Sequence, residues 1–277
     1  MSAPSESLDA WVSTRREELA RLYESRLTTP ADGDPGRLIE AVRYSLLAPG
    51  KRIRPLLAIA AAEAVGDVTG EVLLACAAVE LVHCYSLIHD DLPAMDDDDF
   101  RRGQPSNHKV FGEAIAILAG DGLLTLAFDW IAEAGAHAGA GDRFLRAAGA
   151  LSRGAGVYGM VRGQARDLAG PAPTSLVALE TLHLEKTAAL FRAALEVGAL
   201  AAGAGPEAVT SLAGFGEAYG VAFQHADDLA DEDHGGLAGD ARSRLATLVA
   251  DALARLAPFG ARAARLAELA RALVRGR

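Results

Sequence analysis

Nowhere along the 277 residues do Val and Ile alternate with polar side chains over the length of a strand. A chain without that period-two pattern lacks the half-buried face from which a sheet is built. Apolar residues instead recur at three- and four-residue spacing, over 8–27, 37–47 and 243–256, which marks one stripe of a helix. Ala, Leu, Glu and Arg dominate, and all are strong helix formers. Gly and Pro break the pattern at 28–36 (TTPADGDPG), 49–50, 66–70, 93–105, 135–141, 170–173 and 203–206, leaving ten or more helices of ordinary length. The expectation is an all-α protein. No linker, low-complexity tract or fixed-period repeat divides the chain, so residues 1–277 read as a single domain.

Two of these helices, about 71–92 and 113–134, are hydrophobic almost all round, which places them at the centre of a bundle. Each carries polar residues a plain core would not want: Glu80, His83 and His89 on the first, Asp121 on the second. The first runs into Asp90-Asp91-Leu92-Pro93-Ala94-Met95-Asp96-Asp97-Asp98-Asp99. Pro93 should end the helix, leaving Asp90 and Asp91 at a C-terminus where the helix dipole disfavours negative charge. Like charges about 4 Å apart repel by roughly 4 kcal/mol at an effective dielectric near 20, so something positive must compensate them. A second run, Asp227-Asp228-Leu229-Ala230-Asp231, also follows an apolar helix, and Asp227 and Asp231 share a helix face. One acidic run reads most simply as a solvated loop. Two of them after buried helices suggest a shared cation site, and ligands that are all oxygen favour Mg²⁺ when phosphates complete the shell. Basic residues complement them: Gly50-Lys51-Arg52-Ile53-Arg54-Pro55 opens a helix and Arg101-Arg102 follows the first acidic run. A helix N-terminus with Lys and Arg suits phosphate groups. The chemistry implied is two anionic subsites, one reached through metal and one through Lys and Arg.

The motifs GKRIRP (50–55), HCYSLIHDDLPAMDDDDFRRG (83–103), NHKVFGEAIAILAGD (107–121), GMVRGQARDL (159–168), LHLEKTAALF (182–191) and FQHADDLAD (223–231) together resemble the trans-isoprenyl diphosphate synthases, the farnesyl and geranylgeranyl diphosphate synthase family. The resemblance implies an all-α bundle around a central cavity, a homodimer, and condensation of isopentenyl diphosphate with an allylic diphosphate (dimethylallyl or geranyl). It implies Mg²⁺, on the order of three ions per site with the substrate diphosphate. By matching position, Asp90, Asp91 and Asp96 form the first aspartate motif and Asp227, Asp228 and Asp231 the second, all as metal ligands. Lys51, Arg54, His83 and Arg102 fall where the family binds isopentenyl diphosphate. Arg101, Lys186, Thr187 and Gln224 fall where it binds the allylic diphosphate, and Gln164 and Asp167 line the same cavity. Asp90, Asp91, Asp96, Asp227, Asp228 and Lys186 are then the catalytic set. Tyr85, five residues before the first motif, with Ser86 beside it, is implied to set chain length. A bulky ring there favours a C15 product, farnesyl diphosphate, over the C20 alternative, geranylgeranyl diphosphate.

The pattern departs from the family after Asp231. A Gly-Lys pair and a Lys-x-Thr-Tyr segment are expected there, and the chain reads EDHGGLAGDARSR instead. Arg242 or Arg244 could substitute, although an Arg fork is not equivalent to Lys. A second hypothesis is therefore a non-catalytic paralogue serving as partner subunit of another synthase. Both intact acidic motifs favour the enzyme.

The net charge of −10 comes from 27 basic and 37 acidic residues. Eleven of the acids lie in 90–99 and 227–233, and without them 26 acids face 27 bases. The excess is thus confined to the proposed metal-binding runs. No broad basic face remains for nucleic acid. Cys76 and Cys84 make neither a disulfide framework nor a CxxC zinc pair. The start is polar, and the longest unbroken apolar stretches, such as 72–79, are short of a membrane span. A cytoplasmic protein without a membrane span is expected.

Overall fold

A computed structural model describes residues 7–170, 173–231 and 238–275, excepting the side chains of 231 and 238–240. The helices are α1 Leu8–Arg26, α2 Leu38–Leu46, α3 Ile53–Val65, α4 Gly70–Asp90, α5 Asn107–Phe111, α6 Glu113–His137, α7 Gly141–Ala155, α8 Met160–Ala169, α9 Leu176–His183, α10 Ala189–Ala201, α11 Pro206–Asp231, α12 Ala238–Arg255 and α13 Ala264–Val274. The all-α expectation holds, with one small exception. Phe100–Arg101 (β1) and Gln104–Pro105 (β2) pair antiparallel. Two residues a side are too few for alternation to show in the sequence. The turn between them, Arg102-Gly103, has φ of 55° and 78°, the left-handed pair that matches the twist of a two-residue hairpin.

The Gly- and Pro-rich breaks do the work expected of them. In TTPADGDPG the Asp34 carboxylate accepts the Ile39 and Glu40 amides at 2.8 and 3.0 Å, capping orphan donors at the start of α2. Ser7 caps α1 and Ser175 caps α9, each through its hydroxyl at 3.2 Å.

The chain forms two compact units. Among the described residues, one comprises those of 7–56 and 77–133, the other those of 57–76 and 134–275. In the first, α1 buries Trp11, Leu19 and Tyr23, a single stripe at helical spacing. Tyr23 stacks on Trp130 with ring centres 6.1 Å apart and donates to the Ala77 carbonyl. Each fully buried side chain of this size stabilises by about 1.5–3 kcal/mol. In the second unit α10 packs against α7 and α11. From Leu190 to Ala201 nearly every side chain of α10 except Arg192 and Glu196 is buried.

This revises the expectation for the two apolar helices. α4 is largely buried, but α6 leaves Ile117 and Leu118 43% and 51% exposed. Hydropathy sums over a helix and does not separate a packed face from an open one. By length and composition both α4 and α6 could cross a membrane, which a count of unbroken apolar runs misses. In α4 72% of that apolar window is buried inside the protein and in α6 39%.

Candidate active site

The first unit gathers the basic motif, the first acidic run and the hairpin. Arg52, just before α3, has a left-handed φ of 52°, a conformation that costs about 1–3 kcal/mol and persists only when neighbours over-determine it. They do: its guanidinium donates to Glu80 Oε1 at 2.6 Å and to the Leu46 and Ala48 carbonyls at 2.5 and 2.7 Å. Arg52 is therefore a structural cation, inward-facing and spent on Glu80, which is 1% exposed. Arg54, in the first turn of α3, donates to His83 Nε2 at 3.1 Å. The ring proton of His83 accordingly sits on Nδ1. Burial first, then the charges of Arg54, Arg102, Arg52 and Arg101, hold His83 far below the ordinary histidine range. The imidazole is neutral and ringed by guanidinium groups, an arrangement that selects an anionic ligand. Arg102, at the hairpin turn, lies 3.8 Å from Glu80. Lys51 is exposed, and its carbonyl accepts two hydrogen bonds from Arg16. The four residues assigned to isopentenyl diphosphate thus belong to one unit, with Arg54, His83 and Arg102 in one cationic cluster.

The acidic run folds back on the end of α4. Met95 N donates to the Leu92 carbonyl at 2.8 Å and Asp96 N to the Asp90 carbonyl at 2.9 Å, so the chain returns Asp96 to the side of Asp90. Asp96 is exposed, whereas Asp91 is 2% exposed. Asp91 Oδ1 accepts two hydrogen bonds from Arg101, at 2.8 and 2.6 Å, and Arg101 also reaches Asp98 at 2.8 Å. Burial raises the Asp91 pKa and the Arg101 hydrogen bonds pull against it. Arg101, assigned to the allylic diphosphate, is here the cation that offsets the crowded carboxylates. Tyr85 is buried, edge-on to His89 with ring centres 5.7 Å apart. Burial and then the Asp90 charge raise its phenol pKa. The Ser86 hydroxyl donates to the His83 carbonyl at 2.9 Å.

The second unit holds the other residues. Between α9 and α10 the chain makes a wide π-helical turn, Leu184–Ala188, of the kind that recurs at functional sites. Lys186 and Thr187 stand on it. Gly163 of α8 lies so close to this turn that a Cβ there would sit 2.1 Å from the Lys186 backbone nitrogen. Lys186 Nζ pairs with Asp167 at 2.5 Å. Gln164, on the same helix, has both amide atoms buried without a hydrogen-bond partner among the described residues. On α11, Gln224 accepts from the Thr187 hydroxyl at 2.9 Å and donates to Asp228 Oδ1 at 2.7 Å. His183 Nε2 stands 3.2 Å from Asp228 Oδ2. Burial disfavours ionisation of Asp228, but hydrogen bonds from His183 and Gln224 outweigh it and the pKa falls. Asp227 is half-buried one residue earlier. The Asp231 side chain and residues 232–237, where the family pattern fails, lie outside the described residues.

Four residues of the second unit, Glu180, His183, His225 and Arg244, join in a further cluster that the family motifs do not mark. Glu180 accepts from Arg244 Nε at 2.7 Å and from His225 Nε2 at 3.2 Å. His225 is fully buried with its ring centre 5.0 Å from that of His183. Arg244 is thus engaged with Glu180. The signal was present as two three-residue spacings, Glu180–His183 and His225–Asp228, each putting a pair on one helix face.

Residues 35–235 match the family described as polyprenyl synthetase. The chain belongs to the polyprenyl synthetase family. Among its relatives is geranylgeranyl pyrophosphate synthase 12, chloroplastic, of Arabidopsis thaliana, 48% identical over 202 residues that make up 72% of this chain and 56% of the relative. The corresponding protein of Catharanthus roseus is 46% identical over 200 residues, again 72% of this chain and 56% of the relative. This polyprenyl synthetase chain therefore spans just over half the length of those plant proteins. Among solved structures, an FPP/GFPP synthase from Zymomonas mobilis superposes with a TM-score of 0.89 at 38% identity, covering 96% of this chain and 98% of that one. A geranyltransferase from Legionella pneumophila gives 0.85 at 34% identity, covering 98% and 99%.

Proposed function

We propose that this polyprenyl synthetase chain is a short-chain trans-prenyltransferase that condenses isopentenyl diphosphate with dimethylallyl or geranyl diphosphate. The observation that carries the reading is the neutral His83 among Arg54, Arg102, Arg52 and Arg101, a cationic cluster for a diphosphate that needs no metal. Arg54, Arg102 and Lys51 bind isopentenyl diphosphate, and the neutral imidazole of His83 hydrogen-bonds without adding repulsive charge. On the metal side the donor set fits Mg²⁺. In the first unit the Asp96 amide returns to the Asp90 carbonyl at the end of α4 and Asp91 keeps Oδ2 beyond its Arg101 contacts, and in the second unit Asp227 and Asp228 offer carboxylate oxygen of the same kind. When bound there, Mg²⁺ supplies the positive charge that stabilises the departing diphosphate. Lys186, on the π-helical turn, adds an ammonium charge, and Thr187 and Gln224 orient the Asp228 carboxylate. Departing diphosphate accepts the final proton, so no side-chain base is required.

Tyr85 supports a C15 product, because its buried ring stands five residues before Asp90. A C20 product is the second reading, favoured by plant relatives named as geranylgeranyl synthases. A third, a non-catalytic partner subunit, rests on the missing Gly-Lys and Lys-x-Thr-Tyr segments, and the Glu180–Arg244 pair favours it further by leaving Arg244 committed elsewhere. The test incubates purified protein with isopentenyl diphosphate, each allylic primer and Mg²⁺, then sizes the products. A C15 or C20 product supports the enzyme and chooses between the two lengths. No product from any primer overturns it in favour of the partner subunit. The homodimer and the cytoplasmic location stay part of this proposal, and sedimentation of the native protein decides the first.

A further inference from the structure

We propose that His183, His225 and Asp228 form a site for a zinc-class divalent ion, distinct in chemistry from the Mg²⁺ sites of the carboxylate runs. One ligand atom from each of the three lies within 4.8 Å of the others. His183 Nε2 and Asp228 Oδ2 are already 3.2 Å apart, close to the roughly 3.3 Å edge of a tetrahedron with ligands about 2.05 Å from the metal. The donors are two imidazoles and one carboxylate. Imidazole suits Zn²⁺, Co²⁺ and their neighbours, whereas Mg²⁺ demands oxygen.

Three further observations point to a ligand. Both rings are nearly or fully buried, His183 at 5% and His225 at 0% exposure. The Nδ1 atom of His225 is buried without a hydrogen-bond partner among the described residues, an arrangement with a cost unless something else engages it. Finally, His225 already has the outer partner that metal-bound histidines use. Glu180 Oε1 is 3.2 Å from His225 Nε2 and is held in place by Arg244. A carboxylate there fixes the proton on Nε2 and leaves the Nδ1 lone pair for a metal. Arg244 balances the charge of Glu180, so the dication faces the single charge of Asp228. Three protein ligands leave a fourth position for water or a phosphate oxygen.

One consequence rests on the function proposed above. Asp228 belongs to the second aspartate motif, so a zinc-class ion on it withdraws that carboxylate from Mg²⁺ and the ion acts as an inhibitor. Binding is measured first and independently of turnover. Metal-stripped protein in excess Mg²⁺ is titrated with Co²⁺, read by visible absorption, and with Zn²⁺, read by calorimetry. The expected result is one ion per chain with a tetrahedral-type Co²⁺ spectrum, and a loss of affinity of about tenfold or more in both His225→Val and His183→Gln. Circular dichroism checks the fold of each variant, and if one misfolds the other and the wild-type spectrum still decide. No saturable Co²⁺ or Zn²⁺ binding by the wild type, or unchanged affinity in both folded variants, overturns the site. Inhibition of turnover by Zn²⁺ is read separately. Binding without any turnover upholds the metal site and defeats the synthase reading. Turnover without binding does the reverse.

Discussion

The most instructive single residue is Glu80. Its carboxylate is almost wholly buried, and Arg52 at 2.6 Å and Arg102 at 3.8 Å share it. Removing one member of a buried ion pair leaves an uncompensated charge and costs about 3–5 kcal/mol. Glu80→Ala should therefore lower the urea midpoint sharply, and should also raise KM for isopentenyl diphosphate because Arg102 loses its anchor. A midpoint within error of the wild type would show that Glu80 is not the counter-charge of this cluster. The sequence displayed Glu80 as an unwelcome acid in an apolar helix and nothing more. Its partner could not be read, because Arg52 lies 28 positions away and turns inward only through a left-handed backbone. Tyr85 carries a different expectation. Tyr85→Ala removes a buried ring beside His89, and the product should lengthen beyond the wild-type size. Unchanged products by chromatography would remove Tyr85 from chain-length control. Asp228→Asn, which keeps the shape but not the charge, should cut turnover by roughly a hundredfold or more while circular dichroism is preserved.

Between elements, the contact that positions most chemistry is α8 against the π-helical turn. Gly163 permits backbone approach within a distance that no side chain tolerates, and that approach sets Lys186 beside Asp167. Gly163→Ala must push the two apart. Overpacking of this kind costs about 1–3 kcal/mol, and the larger effect should fall on Lys186, as a rise in KM for the allylic substrate that exceeds any change for isopentenyl diphosphate. Equal changes in both would show general loosening instead. The motif string GMVRGQARDL was legible in the sequence, as were the break around Asp34 and the end of α4 at the first acidic run. The wide turn was not, because a π-turn differs from an α-turn by one residue of hydrogen-bond register and leaves no mark on apolar periodicity. The contacts that Arg101 and Arg244 make were not legible either. A basic residue near an acidic run reads as ligand-binding in one dimension, whereas in the folded chain Arg101 serves Asp91 and Asp98, and Arg244 serves Glu180.

Across the whole molecule, two histidines make stability depend on pH. His83 in the first unit is held far below the ordinary range by burial and the surrounding arginines, and His225 in the second is lowered by burial, against a hydrogen bond that it donates to Glu180. In the unfolded chain both titrate near pH 6.5. The native state refuses protons that the unfolded state accepts as pH falls below that value, so stability is complete above about pH 6.5 and declines by up to about 1.4 kcal/mol per pH unit for each group below it. The carboxylates act elsewhere. Asp228 and Glu180 are lowered, so their contribution is lost only as pH falls below the ordinary carboxylate range. Asp91 is raised and contributes in the opposite sense, with stability present in acid and lost as pH rises. Both tryptophans, Trp11 and Trp130, lie in the first unit, so their fluorescence reports on the unit containing His83, while far-ultraviolet circular dichroism reports on both. The expected outcome is a lower urea midpoint at pH 5.5 than at 7.5 by both probes. His83→Gln should flatten the pH dependence seen by fluorescence, and His225→Val should flatten only the remaining part seen by circular dichroism. A midpoint that rises on acidification, or a fluorescence transition as pH-dependent in His83→Gln as in the wild type, would remove His83 as the acid-sensitive group of its unit.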